Sequence, residues 1–202
     1  MQYLYREENY KEVRNMSKKE SKKERAIKKA RELGKKYEGL YIGCSESSFA
    51  AICDALREET GIELFTPEEQ DKIFTAMVGL QGGVGGSARG SCGAVTGSSF
   101  CVSLASGIGR KEQLGDKFTL TIPCENVRNS VADKFQGEYG SICCHDICFK
   151  KFGKSFDFTR PEIIKEFLSN SRGNPMCTSE TCTISKGAAW AVEKICDMKG
   201  IK

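Results

Sequence analysis

The sequence predicts an all-α protein: a compact bundle of about six or seven helices, interrupted by a glycine-rich loop and preceded by a basic helical N-terminal arm. Three observations carry this. Apolar residues recur at three- and four-residue spacing between recognisable caps, and no stretch alternates convincingly as a strand would. An apolar share of 39% over 202 residues is enough to bury a core without disulfide staples. No run approaches 18 uncharged apolar residues, which excludes a membrane-spanning helix, and the charged first 36 residues lack the apolar stretch of an export signal.

Residues 1–16 show no clear period and stay unassigned. From Ser17 to Lys36, ten basic residues face Glu20, Glu24 and Glu32. Glu24 with Lys28 and Glu32 with Lys36 stand in the favourable Glu-first order of a solvated helix. Ala26, Ile27, Ala30 and Leu33 give it one narrow apolar stripe for docking on the body. We therefore divide the chain into an arm (1–37) and a cysteine-rich helical domain (38–202). A nucleic-acid role for the arm is the less favoured reading, because a charged helical face is the commoner origin of such a run.

Within the domain, Ser45 is expected to cap a helix with Phe49, Ile52, Cys53 and Leu56 inward, closed by Gly61. Thr66-Pro67-Glu68-Glu69 is a capping box with proline at the first helical position, predicting a helix to about Val78. Gly79 to Gly90 is a glycine-rich loop, and Ala94–Ile108 reads as a buried helix. A loop is expected around Arg110–Pro123, with Lys117–Ile122 as a short extended piece. Helices follow over 125–138, Cys144–Phe149 and Pro161–Leu168, and a last one starts at Ser179-Glu-Thr-Cys and runs to about Met198.

Familiar site motifs fail. Gly83-x-Gly85-x-x-Ala88 follows a helix rather than the strand a dinucleotide fingerprint needs. No phosphate-loop string exists, and Cys143-Cys144-His145 lacks the spacing of a haem attachment site. A single histidine leaves no room for an imidazole metal site or a hydrolase triad, and His145 reads as a surface group.

The anomaly is 11 cysteines, an odd number that rules out a complete intramolecular disulfide set. With no export signal the chain is expected to be cytoplasmic, where thiols persist. Helix N-termini supply thiolate character through unpaired N–H groups and the helix dipole. Cys44, Cys92, Cys144 and Cys182 fall at predicted N-termini, whereas Cys53, Cys101, Cys148 and Cys196 fall inside helices. Cys124 and Cys177 are loop cysteines. Cys144 and Cys148, at i and i+4, can share a ligand. Four thiolates from four segments would match the ligand set of an iron–sulfur cluster or a structural zinc.

At these residues the sequence resembles the C_GCAxxG_C_C family of redox-active proteins. Its C-G-A-x-x-G element reads Cys92-Gly93-Ala94-Val95-Thr96-Gly97, preceded by the glycine loop. Tyr41-Ile-Gly-Cys44-Ser-Glu-Ser looks like the family's first cysteine. Tyr139-Gly140-Ser-Ile-Cys-Cys144 looks like its third, with Cys143 the competing choice. Cys182, ahead of an alanine-rich helix, looks like the fourth. The resemblance spans about 38–198 and implies a redox role beside oxidoreductases, with a relationship to the iron–sulfur part of split-Soret cytochromes.

Residues and resemblance together give one leading expectation: an electron-transfer or redox-accessory protein holding an iron–sulfur cluster through Cys44, Cys92, Cys144 and Cys182. Gly82, Gly83, Gly85, Gly86 and Gly93 would bring backbone N–H groups against the cluster sulfurs. The expected partner is a redox protein, with self-association also open. Two rivals remain: a metal-free thiol/disulfide protein, and a structural-zinc binding module whose basic arm docks an acidic partner or nucleic acid.

Overall fold

The computed structural model describes residues 20–172 and 180–202. Cys177 and the unassigned residues 1–16 lie outside them. Among the described residues there is no strand, only an isolated bridge between Ser91 and Cys143, so the chain is all-α.

Four helices form the core: α1 (Lys22–Tyr41), α2 (Cys44–Thr60), α4 (Gly93–Ala105) and α10 (Thr183–Met198). Ser21 and Glu24 close a reciprocal capping box that starts α1. Its Ala26, Ala30, Leu33 and Gly34 are buried, so the apolar stripe does dock. The helix continues without a break past the 37/38 position to Tyr41 and packs along α2 and α10. Its charges are largely matched within the fold. Arg25 pairs with Glu59 and Lys29 with Glu58 on α2, and Lys23 pairs with Asp197 on α10.

These pairings fix α1 antiparallel to both neighbours. The Tyr37 hydroxyl donates to Asp54 at 2.7 Å and the Ser185 hydroxyl to the Arg31 carbonyl at 2.8 Å. By contrast α2, α4 and α10 run parallel. Phe49 meets Phe100 edge-on and Gly97 sits over Ser48 and Phe49, while Gly187 lies on Ser98 and Met198 reaches Ser106. Small residues at the crossings bring the backbones close. A methyl at Gly34 would lie 2.8 Å from the Ser185 Cα, and one at Gly187 2.8 Å from the Ser98 Oγ. Three parallel core helices therefore start at one end of the molecule.

The periphery departs from the sequence reading in places. α3 (Pro67–Met77) opens on the expected Thr66–Glu69 box and passes into a short 3₁₀ turn, Val78–Leu80. The segment expected as loop and strand contains instead α5 (Arg110–Gly115) and a 3₁₀ turn, Lys117–Leu120. The Asp116 side chain accepts from the Phe118 N–H and starts that turn, a local bond that outcompetes extension. α6 (Thr121–Val127), a π segment (Arg128–Ala132) and α7 (Asp133–Tyr139) form one continuous rod, so Cys124 is helical and exposed rather than in a loop. α8 (Cys144–Phe152) and α9 (Pro161–Arg172) complete the fold.

Candidate functional site

The site is built from helix starts. Cys44 is the first residue of α2, whose N-cap is Gly43 rather than Ser45; the Ser45 hydroxyl instead donates to the Met77 carbonyl at 2.7 Å. Cys92 is the N-cap of α4, Cys182 the N-cap of α10, and Cys144 the first residue of α8 behind N-cap Cys143. Because α2, α4 and α10 are parallel, their positive dipole ends and unpaired N–H groups gather at one end of the bundle.

There the thiols line one small, largely enclosed cavity of about 70 Å³. Cys44, Cys92, Cys144 and Cys148 all face it, with Gly82, Ile42, Ile147, Ile184, Glu38 and Lys151 among the other wall residues. Cys144 and Cys148 stand with their sulfurs 4.0 Å apart on successive turns of α8. Cys182 is fully buried at the same end and donates its thiol to Glu38 Oε2 at 3.5 Å. Cys143 turns away, its thiol toward the Ala88 and Arg89 carbonyls, so Cys144 is the cavity residue of that pair.

The thiols are made unequal by their surroundings. Cys44 is held below the ordinary thiol range because the Cys92 thiol donates to its sulfur and the Gly82 and Gly93 N–H groups point at it. These outweigh burial and the nearby Glu46 carboxylate. Cys92, as the donor of that pair and a buried group, is pushed well up. Cys144 is pushed up likewise, by donation to Cys148 and by burial. Glu46 folds back over Gly43, with Oε2 3.0 Å from the Ser45 hydroxyl oxygen, and is raised by burial.

The glycine loop is the joint that assembles these parts. Gly82, Gly83, Gly85 and Gly86 all have left-handed φ, between 58° and 77°, which only glycine adopts without strain. The roles expected of the five glycines divide. Gly82 and Gly93 address the Cys44 sulfur. Gly85 and Gly86 give their N–H groups to the carbonyls of Gly79 and Gln81. A methyl on Gly83 would drive into the Ala88 backbone at 2.6 Å. Beyond the turn, the Gly90 and Ala88 carbonyls accept from the Cys144 and His145 N–H groups, capping α8, and Cys92 N–H bonds the Ile142 carbonyl. The loop thus holds the backbones of Cys92 and Cys144 side by side. Val84 and Ala88 share the left-handed region at φ 65° and 61°, as does Ile42 on the cavity wall at 70°. Such strain in non-glycine residues persists only where surrounding structure fixes it.

An aromatic cover closes the cavity. Phe158 N–H bonds the Gly86 carbonyl at 2.8 Å, and its ring packs edge-on against Phe167. Phe156, buried, touches Phe152, Phe158 and Phe167. Sequence reasoning passed over this cover, over Glu38 and over the cavity position of Cys148. The i,i+4 spacing from Cys144 and the density of phenylalanine between 149 and 167 were the available signals.

A second thiol pair flanks the other edge of the α2–α4 contact. Cys53 and Cys101, each nine residues past a cavity cysteine, are buried against one another, and burial raises Cys101. Neither Cys44 with Cys53 nor Cys92 with Cys101 shares a helix face, yet each position meets its counterpart across the contact. Among the described residues no three His, Cys, Asp or Glu side chains already stand as close as a single ion requires. His145 is exposed and bonds Asp146 at 3.0 Å.

Fold and site together define an all-α protein with a buried multi-thiol cavity at its helix N-termini. The chain belongs to the family described as "Putative redox-active protein (C_GCAxxG_C_C)", whose model matches residues 42–195. That span takes in every cavity cysteine, Cys182 and the glycine loop, and leaves α1 outside. Searches of curated proteins and of solved structures found no match.

Proposed function

We propose that the protein is an electron carrier or oxidoreductase accessory whose cavity holds an iron–sulfur cluster. The observation that carries this reading is the convergence of four thiols from three segments on one enclosed wall, beneath helix N-termini and two N–H groups aimed at a sulfur. The donor chemistry fits: thiolates are the ligands such clusters take, and N–H donors to sulfur tune their potential. Cys44, Cys92 and Cys144 would supply three ligands, and the fourth would come from the cysteines buried at the same end, Cys148 and Cys182. A cluster held there would accept and release single electrons for a partner redox protein.

The chain's own residues have definite tasks in this reading. The helix dipoles and Lys151 offset the negative charge of the thiolates, Gly82 and Gly93 hold the Cys44 sulfur as acceptor, and the aromatic cover excludes water. A structural zinc is less well matched, because Zn–S bonds of about 2.3 Å need all four sulfurs drawn within about 4 Å of one another. The Cys44–Cys92 pair favours a second reading, direct dithiol chemistry. There both thiols lose their protons, two electrons pass to a small-molecule disulfide, and a Cys44–Cys92 bond forms.

Protein purified without oxygen, with iron, acid-labile sulfide and zinc counted beside a visible spectrum, separates these. Stoichiometric iron and sulfide with broad absorbance bleached by dithionite supports the cluster. A colourless chain that loses two titratable thiols on oxidation overturns it in favour of the dithiol. Zinc without sulfide overturns both.

A further inference from the structure

We propose that Cys148, not Cys182, supplies the fourth sulfur, so that the ligands come as two contacting pairs, Cys44 with Cys92 and Cys144 with Cys148. This deepens the cluster reading and rests on it. The family pattern ends on the cysteine before the last helix, which here is Cys182. The side chains are arranged otherwise. Cys148 faces the same cavity as Cys44, Cys92 and Cys144, and its sulfur is 4.0 Å from that of Cys144.

Cys182 is directed elsewhere. Its thiol donates to Glu38, and the same Glu38 oxygen accepts from Lys35 at 2.9 Å. To serve as a ligand, Cys182 would have to give up that hydrogen bond and turn into a cavity whose wall it does not line. Cys148 shares the cavity wall with the other three thiols, Glu38 and Lys151, and its sulfur contacts that of Cys144. Cys182 thus acts as a positioning residue, fixing Glu38 and the start of α10 in the wall, while Lys151 bonds Thr183 Oγ1 at 3.0 Å from the other side.

The test uses the full chain, reconstituted anaerobically with ferrous iron and sulfide, as wild type, Cys148→Ser, Cys148→Ala and Cys182→Ser. Circular dichroism verifies folding. Expected for both Cys148 variants is at least a fivefold loss of bound iron and sulfide, or, where serine oxygen substitutes, a shifted visible and electron-paramagnetic spectrum. Cys182→Ser should keep wild-type content and spectrum. The reverse pattern overturns this assignment and leaves the cluster reading standing. A wild type that takes up neither iron nor sulfide overturns the cluster reading itself.

A second measurement needs no variant. Iodoacetamide footprinting of loaded and unloaded wild type should show Cys148 protected by loading at least fivefold. Cys182 should be labelled equally in both. Protection of Cys182 alone would overturn the assignment.

Discussion

Replacing Gly34 by alanine decides whether the basic helix is part of the bundle, because the two answers differ in sign. On a detached, solvated helix the change removes a residue that costs about 0.8–1.0 kcal/mol relative to alanine, so the protein would gain stability. In the bundle the new methyl would lie 2.8 Å from the Ser185 Cα and 2.9 Å from its N. Ordinary carbon–carbon contact is about 3.5–4.0 Å, so α1 and α10 must part by roughly 1 Å. The obstacle is backbone, which no rotamer change can relieve. Overpacking of this kind costs about 1–3 kcal/mol, and after the helix-propensity gain a net loss of up to about 2 kcal/mol remains. For a chain of this size that lowers the melting temperature by up to about 8 °C. Gly137, inside α7 with open space where a methyl would go, is the internal control. Gly137→Ala should raise stability by about 0.5–1 kcal/mol. Urea and thermal unfolding of the reduced protein, followed by circular dichroism, measure both. A Gly34→Ala protein more stable than wild type by the roughly 0.8–1.0 kcal/mol of a solvated helix would refute the packing of α1 against α10.

Other consequences are directly measurable. Cys44 should be alkylated by iodoacetamide with a midpoint below the pH 9.0 of an ordinary thiol, and Cys92→Ala should move that midpoint up by removing the donated hydrogen bond. Glu46, raised by burial, contributes stability that is full below the ordinary carboxylate range and is lost as pH rises through its elevated value. Wild type should therefore gain on Glu46→Gln as pH falls from 7 toward 4.5; parallel melting curves across that range would count against the buried carboxylate. Phe156→Ala should cost about 3–5 kcal/mol and, in cluster-loaded protein, speed bleaching in air, timed by visible absorbance. Val84→Gly relieves an exposed residue of a left-handed φ of 65° and should stabilise by about 0.5–1 kcal/mol, read as a rise in melting temperature.

Much of this architecture was legible in the residues. Caps and periodicity located α3, α4, α8 and α10 to within a few positions, because Thr66, Pro67 and the glycine punctuation act locally. The same logic put Cys44, Cys92, Cys144 and Cys182 at helix starts. What periodicity could not convey was direction. The parallel run of α2, α4 and α10 that gathers those starts is a tertiary fact, as is the meeting of Cys53 with Cys101 across it. The status of α1 was hidden because its buried positions are small: Ala26, Ala30 and Gly34 carry little hydrophobic signal but permit close approach. The turn at Lys117–Leu120 went unread because one Asp116 side-chain bond decides it. Cys148 was visible only as an i,i+4 spacing until Cys182 was seen to face Glu38.

The cavity sulfurs come from α2, from the end of the glycine loop and from α8, and their surroundings from α10. Only Cys144 and Cys148 are close in the chain; Cys44 and Cys92 reach them through the packing of α2 and α4. The pocket exists only after residues from the first and last core helices have met, so its chemistry is switched on by the completion of folding. Because Cys44 and Cys92 lie far apart in the chain, the contact between their thiols reports that α2 and α4 have packed and the bundle has closed.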